Sequence, residues 1–199
     1  MAITFQFNKI AIQYLRKQLR ARQVALPTLK SKESVLRMSV QKQKEVLAGL
    51  QEHYDVRIAE LQNDIRLWGE FPYGVFLIKQ IITQPVKIAG ITVPELKEVI
   101  WDIREFSKFN KPIWVTSGIL LLKELATDVA RMDVLHKAIE ILDRARRKTT
   151  QKVNLYEKVQ IPEFSDAILK IKRYLEDVEN LEKAAQKITK QKMSAGVQA

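Results

Sequence analysis

The sequence contains no cysteine. Disulfides are excluded, and so is any zinc or iron–sulfur site built on thiolates. Glycine and proline are scarce, six of each in 199 residues. So few helix breakers favour long uninterrupted helices. Acid is scarce too, with 23 Asp and Glu against 34 Lys and Arg, a formal net charge of +11. That excess predicts an anionic partner: nucleic acid, a membrane surface or an acidic protein face. Long apolar runs are missing. YGVFLI and SGILLL are far too short to cross a bilayer, so any membrane association is expected to be indirect. The opening MAITFQFNKIAIQYLRKQ lacks the charged-then-apolar order of a signal peptide.

Catalytic signatures are absent as well. There is no G-x-x-x-x-G-K-[ST] loop, no G-x-G-x-x-G turn and no nucleophile elbow. His53 and His136 sit in helical runs without metal-ligand spacing, and His136 falls on an apolar face, as a core or seam histidine would. Glu98, Asp102 and Glu105 have the spacing of one helix face, which reads as a solvated face. No catalytic, cofactor-binding or metal-binding residue is expected, and no cofactor.

Apolar periodicity is what the chain has in quantity. From Leu15, alternating steps of four and three reach Leu19, Arg22, Leu26, Leu29, Glu33, Leu36, Val40, Gln43, Leu47, Leu50, Tyr54, Arg57, Leu61, Asp64 and Trp68. Eleven of these sixteen positions are apolar, a coiled-coil seam. Sixty-odd residues at 1.5 Å each predict a rod of roughly 90–100 Å. Pro27 lies inside this run, and Leu26 and Leu29 keep phase across it, which predicts a kink and not a break.

A second seam runs through Leu125, Val129, Met132, His136 and Ile139. It resumes at Phe164, Ile168, Ile171, Leu175, Val178, Glu182 and Ala185, with Pro162 interrupting the helix. Between the seams lie four of the six glycines, four of the six prolines and seven of the fifteen aromatics. There ITQPVKIAGITVPEL reads as a small β-hairpin turning at Ala89–Gly90, and ELKEVIWDIREFSKF as a short amphipathic helix.

The expected fold is all-α: a long antiparallel two-helix coiled coil of N- and C-terminal helices with a small globular middle. The boundaries are 1–68 for the first helix, 69–118 for the middle and 119–199 for the second helix with a disordered tail.

Basic residues cluster. Residues 9–44 hold ten Lys and Arg and one acid, Glu33, and residues 144–152 hold five bases and no acid. A solvated face and a binding surface both fit such runs. RKQLRAR and RARRKTTQK suit phosphates electrostatically, yet no nucleic-acid motif or interleaved aromatic accompanies them.

One segment carries more. KTTQKVNLYEKVQIP, residues 148–162, resembles a stretch like K-T-x-R-R-V-N-A-L-E-x-V-x-I-P in the D subunits of V-type (V/A-type) ATPases. Val153–Asn154, Glu157, Val159 and Ile161–Pro162 are kept; the arginine pair is Gln151–Lys152 and the Ala-Leu is Leu155–Tyr156. LRKQL followed by Leu29, Lys30, Ser31, Lys32, Glu33 and Leu36 is similar to the family's basic leucine helix, and IAGITVPEL to its G-V-x-V-P piece. Pro27 departs from the family pattern.

The resemblance implies a central-stalk rotor subunit without catalysis of its own. It implies as partners the A and B subunits of the head, the F subunit, and the funnel-shaped subunit that leads to the membrane ring. No direct nucleic acid is expected, and the location is cytoplasmic, peripheral on the inner membrane through the complex. On that reading Arg16, Lys17, Arg20, Arg22, Arg144, Arg146, Arg147 and Lys152 are head-contact residues. Val86, Ile88, Ile91 and Val93 belong to a partner-binding hairpin in the middle region. The rival reading is a basic coiled-coil scaffold or a nucleic-acid-binding rod.

Overall fold

The computed structural model describes residues 5–62, 68–71, 74, 76–104 and 114–196. Helix α1 spans Lys9–Gln62. Asn8 starts it, its side-chain oxygen accepting from the Ala11 N–H at 2.6 Å, an N-cap bond. Strands β1, Phe76–Ile88, and β2, Ile91–Ile103, follow. Helix α2 spans Trp114–Asn154, a π-helical segment covers Leu155–Gln160, and helix α3 spans Ile161–Gly196. These residues form two compact units, 1–31 with 149–199 and 32–148.

The α1 seam is where the sequence pattern places it. Every described seam position from Leu15 to Leu61, and Trp68, is buried or half-buried. Pro27 lies within the helix, which continues through it.

In the terminal unit, α1 packs on α3. Ile12 and Leu15 meet Phe164, Ala167, Ile168 and Ile171, flanked by Leu19 and Leu175. The pairing is antiparallel: Lys9 lies 3.9 Å from Glu179, whereas Lys30 lies 2.6 Å from Glu157. From Glu179 to Met193 every residue of α3 is exposed. Glu182 and Ala185, expected in the seam, are among them, as are Leu181, Ile188 and Met193. Helix α3 runs through Gly196; residues 197–199, at the end of the expected disordered tail, lie outside the described residues.

In the middle unit, α1 packs on α2, also antiparallel, with Arg57 2.9 Å from Glu124 and His53 3.9 Å from Asp128. A third element joins. Leu36, Val40, Ala138 and Leu142 enclose Val93, with Ile88, Ala89 and Ile91 against them. The α2 face therefore differs from the expected one. Leu125, Met132 and Ile139 are buried, but Val129 and His136 are exposed, and Ala130, Val134 and Ala138 take inward positions. A helix touching both α1 and a hairpin buries a wider stripe than a two-helix seam requires.

The hairpin is longer than the sequence pattern indicated. The segment ELKEVIWDI, expected as helix, is strand β2 paired along β1; residues 105–109 lie outside the described residues, Glu105 among them. Its Val99, Ile100, Trp101 and Ile103 suit a pleated surface, and the pairing overrides their helix-like spacing. The turn is tight, with Ala89 at φ 50° and Gly90 at φ 78°. Two positive-φ residues give the turn twist that matches a hairpin. Pro85 faces Pro94. Counting from the turn, that is a pair that exchanges no N–H bonds, so neither ring costs a ladder bond.

At the far end, Phe76 stacks on Trp101 at 4.8 Å and packs on Val115 and Ile119. Trp114 meets Trp68 at 5.4 Å. Gly118 admits this cluster: a Cβ there would stand 3.2 Å from the Trp114 ring.

Candidate partner-binding site

The segment that carries the family resemblance contains the strongest backbone irregularity in α2–α3. Pro162 has no N–H to give the carbonyl four residues back, and its ring crowds that carbonyl. The helix answers by widening into a π turn at Leu155–Gln160, where the Ile161 N–H reaches the Tyr156 carbonyl five residues back. So Pro162 does not interrupt the helix; it follows a turn that has taken one extra residue.

Within the terminal unit this π turn lies beside the Pro27 stretch of α1. Arg22 Nε donates to Gln160 Oε1 at 2.6 Å. Its Nη1 donates to the Gln18 carbonyl at 3.0 Å and to Gln18 Oε1 at 2.7 Å. The guanidinium stands 4.5 Å from the Phe164 ring centroid and 5.8 Å from that of Tyr156, both within cation–π range. Lys30 closes the other side of Pro27 on Glu157 at 2.6 Å. Arg22 occupies a seam position, so its charge is turned inward and holds the helix pair together.

The other basic residues divide into two groups. Arg146 donates to Asp143 Oδ1 and Arg147 to Oδ2, at 2.8 and 2.7 Å. Asp143 is held below the ordinary carboxylate range, chiefly by the Arg146 hydrogen bond, against its partial burial and with help from Arg147. Arg16, Lys17, Arg20, Arg144 and Lys152 are exposed. They have no ion pair or hydrogen bond among the described residues.

Three of these unpaired cations share one feature. Lys17, Arg20 and Lys152 rim an open groove of 690 Å³ with Ala21, Val24, Ala25, Thr28, Leu29 and Tyr156. Val24, among the lining residues, is 68% exposed. A second groove, of 940 Å³, runs by Ile10, Tyr14, Arg22, Leu155, Gln160 and Phe164. It has one cation, already bonded, and the carboxylate of Glu163.

The hairpin residues singled out in the sequence face the helices. Val93 is buried, and Ile88 and Ile91 rest on its core with Leu36 and Leu142. Val86 lines a 440 Å³ groove between the hairpin, Gln43–Leu50 and Arg131–Ala138. The exposed apolar side chains of the hairpin are Leu77, Ile78, Ile81 and Ile103. The run FLIKQII is the sequence signal for three of them, and it lies outside the short hairpin that the β-branched runs alone define.

Among the described residues no three His, Cys, Asp or Glu side chains gather as a metal site. No described helix is long and apolar enough to cross a membrane.

A family model for the D subunit of ATP synthase matches residues 11–191. The V-type ATP synthase D subunit of Borreliella burgdorferi is 33% identical over 175 residues, 83% of each chain. Its counterpart in Chlamydia felis is 28% identical over 89% of this chain and 88% of its own, and that of Chlamydia muridarum 29% over 97% and 98%. The matched span takes in nearly all of α1 and α3 and the whole of α2, the hairpin and the π turn, and the chain belongs to the ATP synthase D-subunit family.

Proposed function

We propose that this chain is the non-catalytic central rotor shaft of a V/A-type ATPase. It would couple ATP hydrolysis or synthesis in a head of A and B subunits to ion translocation across the membrane. The paired terminal helices enter the head. The middle region stays outside, binds the F subunit and rests on the funnel-shaped subunit that leads to the membrane ring. The chain is then cytoplasmic and peripheral, held at the inner membrane through the complex. The observation that carries this reading is the antiparallel seam of the terminal unit with unpaired cations outside it.

The mechanism follows from differential contact. Nucleotide is handled at head interfaces, and the shaft presents different chemistry on different flanks. Each angular position then favours a different set of open and closed interfaces. That difference in binding free energy is the coupling, and it acts in both directions. A packed helix pair transmits torque because its core resists deformation.

The test is size-exclusion chromatography with mass detection of this chain with the F subunit of the same genome, at moderate salt. A one-to-one complex is expected. Two folded proteins that elute apart would overturn the reading in favour of a basic scaffold. In that case affinity for DNA or RNA falling steeply with salt becomes the expectation.

A further inference from the structure

We propose that the exposed tail of α3 is a self-docking surface, on which a second copy of this chain lays its own tail antiparallel. The inference concerns the free chain and stands apart from the rotor reading.

Three observations converge on this tail. The first is an uncovered face. Val178 is half-buried, and from Glu179 to Met193 every side chain of α3 is exposed. Helix α1 begins level with this point, Lys9 lying 3.9 Å from Glu179. The described residues before Lys9 turn back along α3. Phe5 rests on the core of Ile12 and Phe164, and Phe7 lies 4.8 Å from the Tyr174 ring. The second is pattern. Val178, Leu181, Ala185 and Ile188 recur at steps of three and four, one helix face, with Leu181 70% and Ile188 53% exposed. From Val178 to Lys192 that face runs about 21 Å at 1.5 Å per residue, a length that suits the side of another helix.

The third is charge, and it names the occupant. Residues 176–182 hold four acids and no base, and residues 183–192 four bases and no acid. A complementary partner carries the same charges in reverse order beside an apolar stripe. A second tail, run antiparallel, does so. Centred on Ala184 and Ala185, the pair brings Leu181 of one copy level with Ile188 of the other, and Asp177 level with Lys192. Each contact then occurs twice about a two-fold axis. Asp177 lies four residues before Leu181 and Lys192 four after Ile188, so both border the apolar face. Neither has a hydrogen bond or ion pair among the described residues. Alanines at the crossing let the helices approach closely. Parallel tails would set like charge beside like, and a nucleic acid or an anionic membrane would be repelled by the acidic half. The contact is small, so the dimer parts readily on dilution.

The experiment follows the full chain by sedimentation equilibrium over a wide range of concentration at moderate salt. A monomer–dimer equilibrium is expected. A chain that stays monomeric throughout, or that grows past the dimer, would overturn the proposal. Leu181→Asp with Ile188→Asp should weaken the dimer roughly tenfold or more. Val24→Asp, the same change at an exposed valine off the tail, should weaken it no more than about threefold. Circular dichroism checks that both variants fold. Equal losses would overturn the proposal in favour of general apolar association.

Direction is read by cross-linking, which the absence of native cysteine makes unambiguous. Asp177→Cys and Lys192→Cys chains, mixed and oxidised with copper–phenanthroline, should yield chiefly the mixed disulfide dimer. A preference for like-with-like pairs would mean parallel tails and overturn the proposal. Charge is read by exchange. Asp177→Lys and Lys192→Asp should each weaken the dimer, and the two together in one chain should restore it. A double variant no tighter than either single one would overturn the antiparallel pairing.

Discussion

The two units use the same helix differently. In the middle unit α1 contributes Leu36 and Val40 to a core closed by α2 and the hairpin, and Leu36 and Leu142 are fully inaccessible. In the terminal unit no third element among the described residues covers the seam from Leu19 to Leu29. Its apolar positions, Leu19, Leu26 and Leu29, are only half-buried, and polar bonds from Arg22 and Lys30 hold it to the π turn. Pro27 and the widened turn before Pro162 both fall in this loosely covered stretch. One heptad pattern thus yields a tight core where three elements meet and a grooved, polar surface where two do. Backbone irregularity is tolerated where side-chain packing demands least.

The largest test of this contrast pairs Leu36→Ala with Leu26→Ala. Deleting the buried leucine leaves a cavity and should cost about 2–5 kcal/mol in urea unfolding. The half-buried one should cost about 1 kcal/mol, mostly lost transfer energy. Equal costs would mean that the grooved stretch is packed as tightly as the core.

Next comes Pro27→Ala. It restores a donor for the carbonyl of Gln23 and removes a ring clash. A gain of about 1–3 kcal/mol is expected, below or at the full interior penalty because α1 has adapted around the ring. A loss on denaturation would show that the stretch relies on proline.

The smallest effect concerns Asp143. Its native titration is depressed, so the fork on Arg146 and Arg147 stabilises the fold above the ordinary aspartate range near pH 4 and fades as pH falls through the lowered value. Asp143→Asn should therefore cost less than about 1 kcal/mol at pH 7. Wild type and variant should converge in acid as pH falls through the lowered value. A difference that grew in acid would contradict the sign.

The helix pair was legible because a seam is local information. Apolar side chains every 3.5 residues report a shared face before any partner is known, and Leu15 through Leu61 kept that face. The polar seam members were legible as exceptions but not in their use: Arg22 and Arg57 reach Gln160 and Glu124 on the facing helices. The hairpin turn was legible from Ala89–Gly90 between β-branched runs. Its length was not, because ELKEVIWDI satisfies helical spacing as well as strand pairing, and only β1 alongside it decides.

The sequence by itself determined that two long helices bear complementary seams, that the chain carries a large positive excess, and that one segment belongs to a family pattern. Those properties depend on residue spacing and composition, which the chain carries wherever it goes. Tertiary structure alone decided which cations among the described residues are paired within the chain and which are not. It also decided that Val93 is core, that His136 is surface, and that α3 outruns its partner past Glu179. A side chain's burial and its electrostatic partners depend on what another element brings within a few ångströms, and spacing along one helix does not encode that.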